Sequence, residues 1–248
     1  MKNITYLNNI SLKADGKFNS SGILVEGILE YPNGMIEEGR FDKKGLQSGK
    51  RIFPDESFAE GEFLNGFFVK GKRIDVDGNI FIGYFDILKG NVYQIGNIIK
   101  GKVIYTDGLI AEGKFVNNLL KFGKIIFPSG DVNEGYFENG SLVEGKATIL
   151  NDAQVDEGKF YLEQLIEGVR ALDNSRIILK GKFQNNKLKS GKIISDGITE
   201  EGHFENENLR FGKITMDDGQ ILFGEFKNMK LIKGKIFFPD GTIQEHVF

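Results

Sequence analysis

The chain has 248 residues, 40% hydrophobic and 27% charged, the balance of a folded protein rather than a disordered one. Its formal net charge of −3 gives no electrostatic reason to expect nucleic acid, and the absence of cysteine excludes disulfides, thiolate metal sites and cysteine nucleophiles. The 33 glycines, against 4 prolines, are too many for ordinary turns and require a positional role.

The N-terminal stretch MKNITYLNNISLKADGKF lacks a basic segment followed by an apolar one, so no signal peptide is expected, and no apolar run approaches bilayer length. Ile4-Thr5-Tyr6-Leu7 and Ile10-Ser11-Leu12 are β-prone and precede the first clear unit, which predicts a capping strand within residues 1–15. Residues 16–248 then read as a repeat. A Gly-x-Phe triplet places phenylalanine at 41, 63, 85, 115, 137, 160, 183, 204 and 226, and Phe248 closes the series with His246 in the glycine's place. Steps of 21 to 23 residues, broken once by a step of 30, signal an array in which each unit buries its apolar surface against its neighbours.

Ten residues after the first glycine comes a second, usually followed by lysine, as in Gly49-Lys50, Gly71-Lys72 and Gly123-Lys124. A β-branched or aromatic run follows, such as Ile125-Ile126-Phe127, and then a turn: Pro32-Asn33-Gly34, Pro128-Ser129-Gly130, Pro239-Asp240-Gly241, or Asp-Gly at 77–78, 107–108 and 218–219. Two strands and two turns per 22 residues predict a β-hairpin repeat, and glycine at this frequency excludes helix.

Pro-x-Gly suits a three-residue loop, with proline at the second turn position and glycine in the left-handed one. That loop sets Lys opposite Glu ten residues on, at Lys50/Glu60, Lys102/Glu112 and Lys235/Glu245, and aligns the glycines in one column. Odd spacings at Gly145–Gly158, Gly168–Gly181 and Gly191–Gly202 call for an extra residue in a loop or bulge. The glycine column is expected to receive the phenylalanine rings of neighbouring strands.

The longest irregularity lies between Gly83 and Gly101, within a long repeat at 83–112. Its extra residues include Val92, Tyr93 and Ile95, candidates for partner contact because an excursion from a regular scaffold is a common recognition site. At the other end Ile243, Val247 and Phe248 belong to a strand without a following partner strand in the sequence given, an open edge that predicts a homodimer, a partner strand or a further C-terminal segment.

Catalysis finds little support. His203 and His246 belong to different repeats, and the carboxylates follow the repeat instead of forming an asymmetric cluster. Asp75-Val76-Asp77-Gly78-Asn79 resembles a calcium loop but lacks the third acidic ligand and the closing glutamate, and it sits where the repeat needs a turn. No catalytic residue, metal or cofactor is expected.

Glu134-Gly135-Tyr136-Phe137-Glu138-Asn139-Gly140 and Glu60-Gly61-Glu62-Phe63-Leu64-Asn65-Gly66, each followed by a later glycine-lysine, resemble the membrane occupation and recognition nexus (MORN) repeat. The resemblance covers residues 16–248. It implies an all-β, elongated, twisted, single-layer antiparallel meander, here of about twenty strands, often with an aromatic-lined groove. It also implies a cytoplasmic, cortical or cytoskeleton-associated scaffold or adaptor that binds proteins. Two alternatives follow from the same family: a peripheral module for anionic phospholipids, and the regulatory region of a larger enzyme. For the lipid reading the candidates are Lys50, Lys72, Lys124, Lys146, Lys213 and Lys235, which recur about 10 Å apart on every second strand. The expected register sets a glutamate opposite several of these lysines, which makes an ordinary charge ladder the competing reading.

Overall fold

A computed structural model describes residues 3–7, 10–87 and 94–247. All of its regular structure is β-strand, and the chain divides into two compact units, residues 1–128 and 129–248. The first contains β1 (Asn3–Leu7), β2 (Ile10–Phe18), β3 (Leu24–Glu30), β4 (Ile36–Asp42), β5 (Gly45–Ile52), β6 (Phe58–Leu64), β7 (Phe67–Ile74), β8 (Ile80–Phe85), β9 (Ile98–Ile104), β10 (Ile110–Val116) and β11 (Leu119–Ile126). The second contains β12 (Val132–Glu138), β13 (Ser141–Ile149), β14 (Gln154–Tyr161), β15 (Gln164–Leu172), β16 (Ile177–Gln184), β17 (Lys187–Ser195), β18 (Ile198–Glu205), β19 (Asn208–Thr215), β20 (Ile221–Lys227), β21 (Lys230–Phe237) and β22 (Ile243–Val247). Within each unit every strand pairs antiparallel with the next, an open meander without crossovers.

Two loop types alternate along each meander. The Pro-x-Gly turns are three-residue loops: the Tyr31 N–H donates to Met35 O at 2.9 Å, the Gly34 N–H donates to Tyr31 O at 3.0 Å, and Gly34 has φ 86°. The middle residue is often aspartate because its carboxylate accepts the N–H two residues on, as Asp107 does from Leu109 at 2.9 Å and Asp240 from Thr242 at 2.8 Å. Asp75–Asn79 is one of these loops, with Asp75 accepting the N–H groups of Asp77 and Asn79. Most of the other loops have two central residues at positive φ, such as Asn117-Asn118 and Asn185-Asn186, the type I′ geometry that matches strand twist.

The glycines align as expected. Gly39 faces Gly49, Gly49 faces Gly61, and Gly61 faces Gly71; in the second unit the row runs through Gly135, Gly145, Gly158 and Gly168 to Gly234, which faces His246. Lys50/Glu60, Lys102/Glu112 and Lys235/Glu245 are facing pairs. The odd spacings are absorbed in loops. Gly145–Gly158 and Gly168–Gly181 enclose loops one residue longer, at 150–153 and 173–176, and Gly191–Gly202 a shorter one at Asp196-Gly197, with glycine still facing glycine.

Bulges occur elsewhere, in the ten-residue hairpins. Arg40 faces Ser48 but Phe41 faces Leu46, which leaves Gln47 as the extra residue; the same shift recurs between Tyr136 and Phe137 and between Glu225 and Phe226. Leu46 lies three residues before Gly49 and would otherwise point away from Phe41. The bulge turns it onto the same face, where Phe41 and Leu46 are both buried. Phe63/Phe68, Phe115/Leu120, Phe137/Leu142, Phe160/Leu165, Phe183/Leu188, Phe204/Leu209 and Phe226/Leu231 repeat the pair and make a continuous apolar row in each unit. Burying each such side chain is worth roughly 1.5–3 kcal/mol. Phe68 lies between Phe63 and Phe85 with ring centroids 5.2 and 4.7 Å away.

The reason for glycine differs from the expectation that rings lie over the column. A Cβ at Gly135 would lie 2.1 Å from Glu144 O and 2.8 Å from the Gly145 Cα, and Gly145 meets Glu134 O and Gly135 in the same way. Backbones, not rings, occupy the space. With φ 146° at Gly135, an L side chain is excluded both by its own backbone and by the facing strand.

Candidate binding face

Each unit has one buried face, made by the Phe/Leu row and by the residues two before the first glycine and two after the second. The residues immediately flanking each glycine form the opposite face. Because the row between them has no side chains, it forms the floor of a shallow channel that runs across the strands. In the first unit a depression of about 560 Å³ lies over Gly16, Gly27, Gly39 and Gly49, flanked by Asp15, Glu26, Ile28, Glu38, Arg40 and Ser48. In the second, one of about 360 Å³ lies over Gly224 and Gly234 beside Phe211, Phe223, Glu225, Lys233, Lys235 and Val247. Phe211 and Phe223 meet edge to face at 5.6 Å while remaining 48% and 43% exposed, and Tyr84 (48%) and Tyr136 (58%) also stand on this face.

The candidate lysines all lie along this channel and all face carboxylates. Lys50 faces Glu38 and Glu60, Lys72 faces Glu60, and Lys146 faces Glu134 and Glu157. Lys124 is 3.7 Å from Glu112, Lys213 is 3.3 Å from Glu201, and Lys235 is 3.6 Å from Glu245. Lys50 also sits 4.1 Å over the Phe58 ring. This column is a cross-strand charge ladder.

Among the other candidates, Ile95 is half-buried in the segment between β8 and β9, and Val92 and Tyr93 lie outside the described residues. That segment is anchored at its base: the Asp86 N–H donates to Asn97 O at 2.9 Å, and Asn118 both donates to Asn97 Oδ1 at 2.7 Å and accepts the Ile98 N–H at 3.0 Å. Ile243 and Val247 are exposed on β22, and Phe248 lies outside the described residues. His203 stands on the channel face opposite Ser190 and Phe211, away from His246, which faces Gly234. Among the described residues no group of three His, Asp or Glu side chains is placed to hold a metal ion.

Sequence reasoning missed two buried ion pairs at equivalent repeat positions. Arg51 and Glu37 face each other on the core side, both buried, with Arg51 Nε donating to Glu37 Oε1 at 2.7 Å and the Tyr31 hydroxyl donating to Glu37 Oε2 at 2.8 Å. Arg170 and Asp156 form the same pair in the second unit, bidentate at 2.8 and 2.7 Å. Each arginine then donates to a carbonyl in the next type I′ loop, Gly66 O or Asn186 O, both at 2.8 Å. These are struts within the sheet. The available signal was a carboxylate two residues before the first glycine and an arginine two after the second. Glu200 occupies the same carboxylate position but faces Ile193 and Ile214, and burial without a cation pushes its pKa up.

No protein-family model matches the chain, and no curated protein matches it. Solved structures with a detectable likeness include alternansucrase in complex with isomaltononaose, 17% identical with a TM-score of 0.21, over 98% of this chain and 16% of that one. A likeness at that TM-score carries no argument about fold or function.

Proposed function

We propose that this chain is a non-enzymatic MORN-like scaffold that binds a partner protein along the glycine-floored face of its meanders. The observation that carries the reading is the division of labour between the two faces. The Phe/Leu row closes a core without a second layer, which leaves the opposite face free. That face is recessed along the glycine row and carries exposed aromatic side chains, the residues enriched at protein interfaces, among a rim of charged ones. The titratable groups on it recur with the repeat, in keeping with a role in binding. The facing glutamates weaken the phospholipid alternative, because a charge ladder offers little net attraction to an anionic surface.

The test compares the wild-type chain with variants in which Tyr84, Tyr136 or Phe223 is replaced by Glu, and with loop controls at Lys43 and Lys44. Lysate capture and vesicle co-sedimentation are measured side by side. Loss of captured protein in the face variants alone supports the reading. Capture unaffected by all three, or retention on phosphatidylserine vesicles with none from lysate, contradicts it.

A further inference from the structure

The channel of the first unit is not uniformly charged. On β2–β6 the positions flanking the glycines hold five carboxylates (Asp15, Glu26, Glu38, Glu60, Glu62) against three cations (Lys17, Arg40, Lys50). On β7–β11 the same positions hold six lysines (Lys70, Lys72, Lys100, Lys102, Lys114, Lys124) against one carboxylate, Glu112. Facing charges neutralise part of this excess, since Lys70 pairs with Glu62 at 3.3 Å and Lys124 lies 3.7 Å from Glu112. Lys72, Lys100, Lys102 and Lys114 form no ion pair among the described residues.

An apolar island stands inside the basic zone. Tyr84 lies between Lys70 and Lys100, and Ile82 between Lys72 and Lys102, with Gly71, Gly83 and Gly101 as the floor. Both apolar side chains are exposed, and Lys70 Nζ lies 5.6 Å over the Tyr84 ring. Resting on the proposed binding face, we infer that β7–β11 form a docking site for an extended acidic polypeptide segment with an apolar residue between its carboxylates.

The dimensions suit a chain rather than a surface. Five strands span about 19 Å, the length of about six extended residues. The lysines of β7 and β9 are two strands apart, about 10 Å, close to the roughly 9 Å between every third residue of a polyproline II chain, whose side chains project to the same side. An acidic residue at i and another at i+3 would then meet Lys70/Lys72 and Lys100/Lys102, with the intervening side chain on Tyr84 and Ile82. A flat anionic surface would meet all five carboxylates of β2–β6, whereas a short segment on β7–β11 meets only Glu60 and Glu62 at its edge, where Lys72 and Lys70 stand opposite them.

The experiment uses the full chain and a labelled synthetic peptide of three Glu-Phe-Ser repeats, with Gln-for-Glu and Ser-for-Phe counterparts, read by fluorescence anisotropy. Vesicles of phosphatidylcholine, with and without phosphatidylserine, form a separate arm. Saturable binding that weakens with salt is expected for the Glu-Phe-Ser peptide. Each counterpart peptide should bind at least several-fold more weakly. Lys100→Glu with Lys102→Glu should weaken binding by about tenfold or more, and Tyr84→Ala by several-fold. Lys43→Glu with Lys44→Glu, the same charge change in a loop, should leave it within about twofold. Circular dichroism checks that each variant is folded. No saturable peptide binding, equal losses from the two charge reversals, or tighter binding to phosphatidylserine vesicles than to peptide overturns the inference. If Phe211→Ala with Phe223→Ala abolishes partner capture while Lys100→Glu with Lys102→Glu does not, the binding face stands and this docking site falls.

Discussion

Gly135 and Gly145 face each other across β12 and β13 so closely that a Cβ on either would sit 2.8 Å from the other's Cα and 2.1 Å from a carbonyl oxygen. Every ten-residue hairpin repeats this contact, and it fixes the floor of the channel. Gly135→Val therefore adds backbone strain to an overlap with the neighbouring strand, each on the order of 1–3 kcal/mol. Asn133, two residues earlier and half-buried beside Ala147, has room for a side chain. Asn133→Val should cost under about 1 kcal/mol. Urea unfolding of the two variants compares them, and equal losses would contradict the backbone contact.

The Asp156–Arg170 pair is replaced by an apolar one elsewhere in the same unit, where Leu179 faces Ile193. Asp156→Leu alone leaves a buried guanidinium without its carboxylate and should cost about 3–5 kcal/mol. Adding Arg170→Ile should recover most of that loss, because the desolvation penalty of both charges disappears together. A double-mutant cycle with no recovery would mean that the strut to Asn186 O is worth more than the ion pair.

Glu200 predicts a pH effect. Its folded pKa is raised by burial above the unfolded value. The protonated carboxyl is therefore favoured in the fold, with its contribution fully present below the unfolded pKa, near 4.5, and lost as pH rises through the folded pKa. At neutral pH the ionised group destabilises, so Glu200→Gln should raise the Tm at pH 7, and the gain should vanish below about pH 4.5. A gain that persists undiminished in acid would show that ionisation is not its cause.

Glu56 occupies, at φ 67°, the left-handed loop position held by Gly34, Gly78, Gly108 and Gly219 in other repeats. A Cβ there costs about 1–2 kcal/mol, partly offset by the greater chain entropy of glycine when unfolded. Glu56→Gly should stabilise by a few tenths to about 1 kcal/mol. Calorimetry checks the sign, and Glu56→Val should shift it the other way.

Much of the fold was legible because a fixed period needs no packing argument. The Gly-x-Phe recurrence aligned the glycine column, and Pro-x-Gly with Asp-Gly set the loops and the facing of Lys50 with Glu60. The bulge at Gln47 was not legible, since nothing local marks it. Its signature is the odd separation of Leu46 from Gly49, which makes sense only once both Phe41 and Leu46 are required on one face. The buried Glu37–Arg51 pair was hidden because charged residues in a charged array look exposed. Counting only the lysines after the second glycine gave a balanced ladder. The basic zone on β7–β11 emerges when Lys70 and Lys100, on the other bank of the channel, are included.

The central claim is that neighbouring residues along one strand belong to a closed core and an open channel face. The chain has no cysteine, so single replacements report cleanly on this division. Tyr136→Cys and Phe137→Cys, adjacent in β12, should differ sharply in reaction with a soluble thiol reagent. The first should react at nearly the rate of a free thiol, and the second only at the rate at which the sheet opens. Fast and equal labelling at both positions would contradict the two-faced sheet and the binding face built on it.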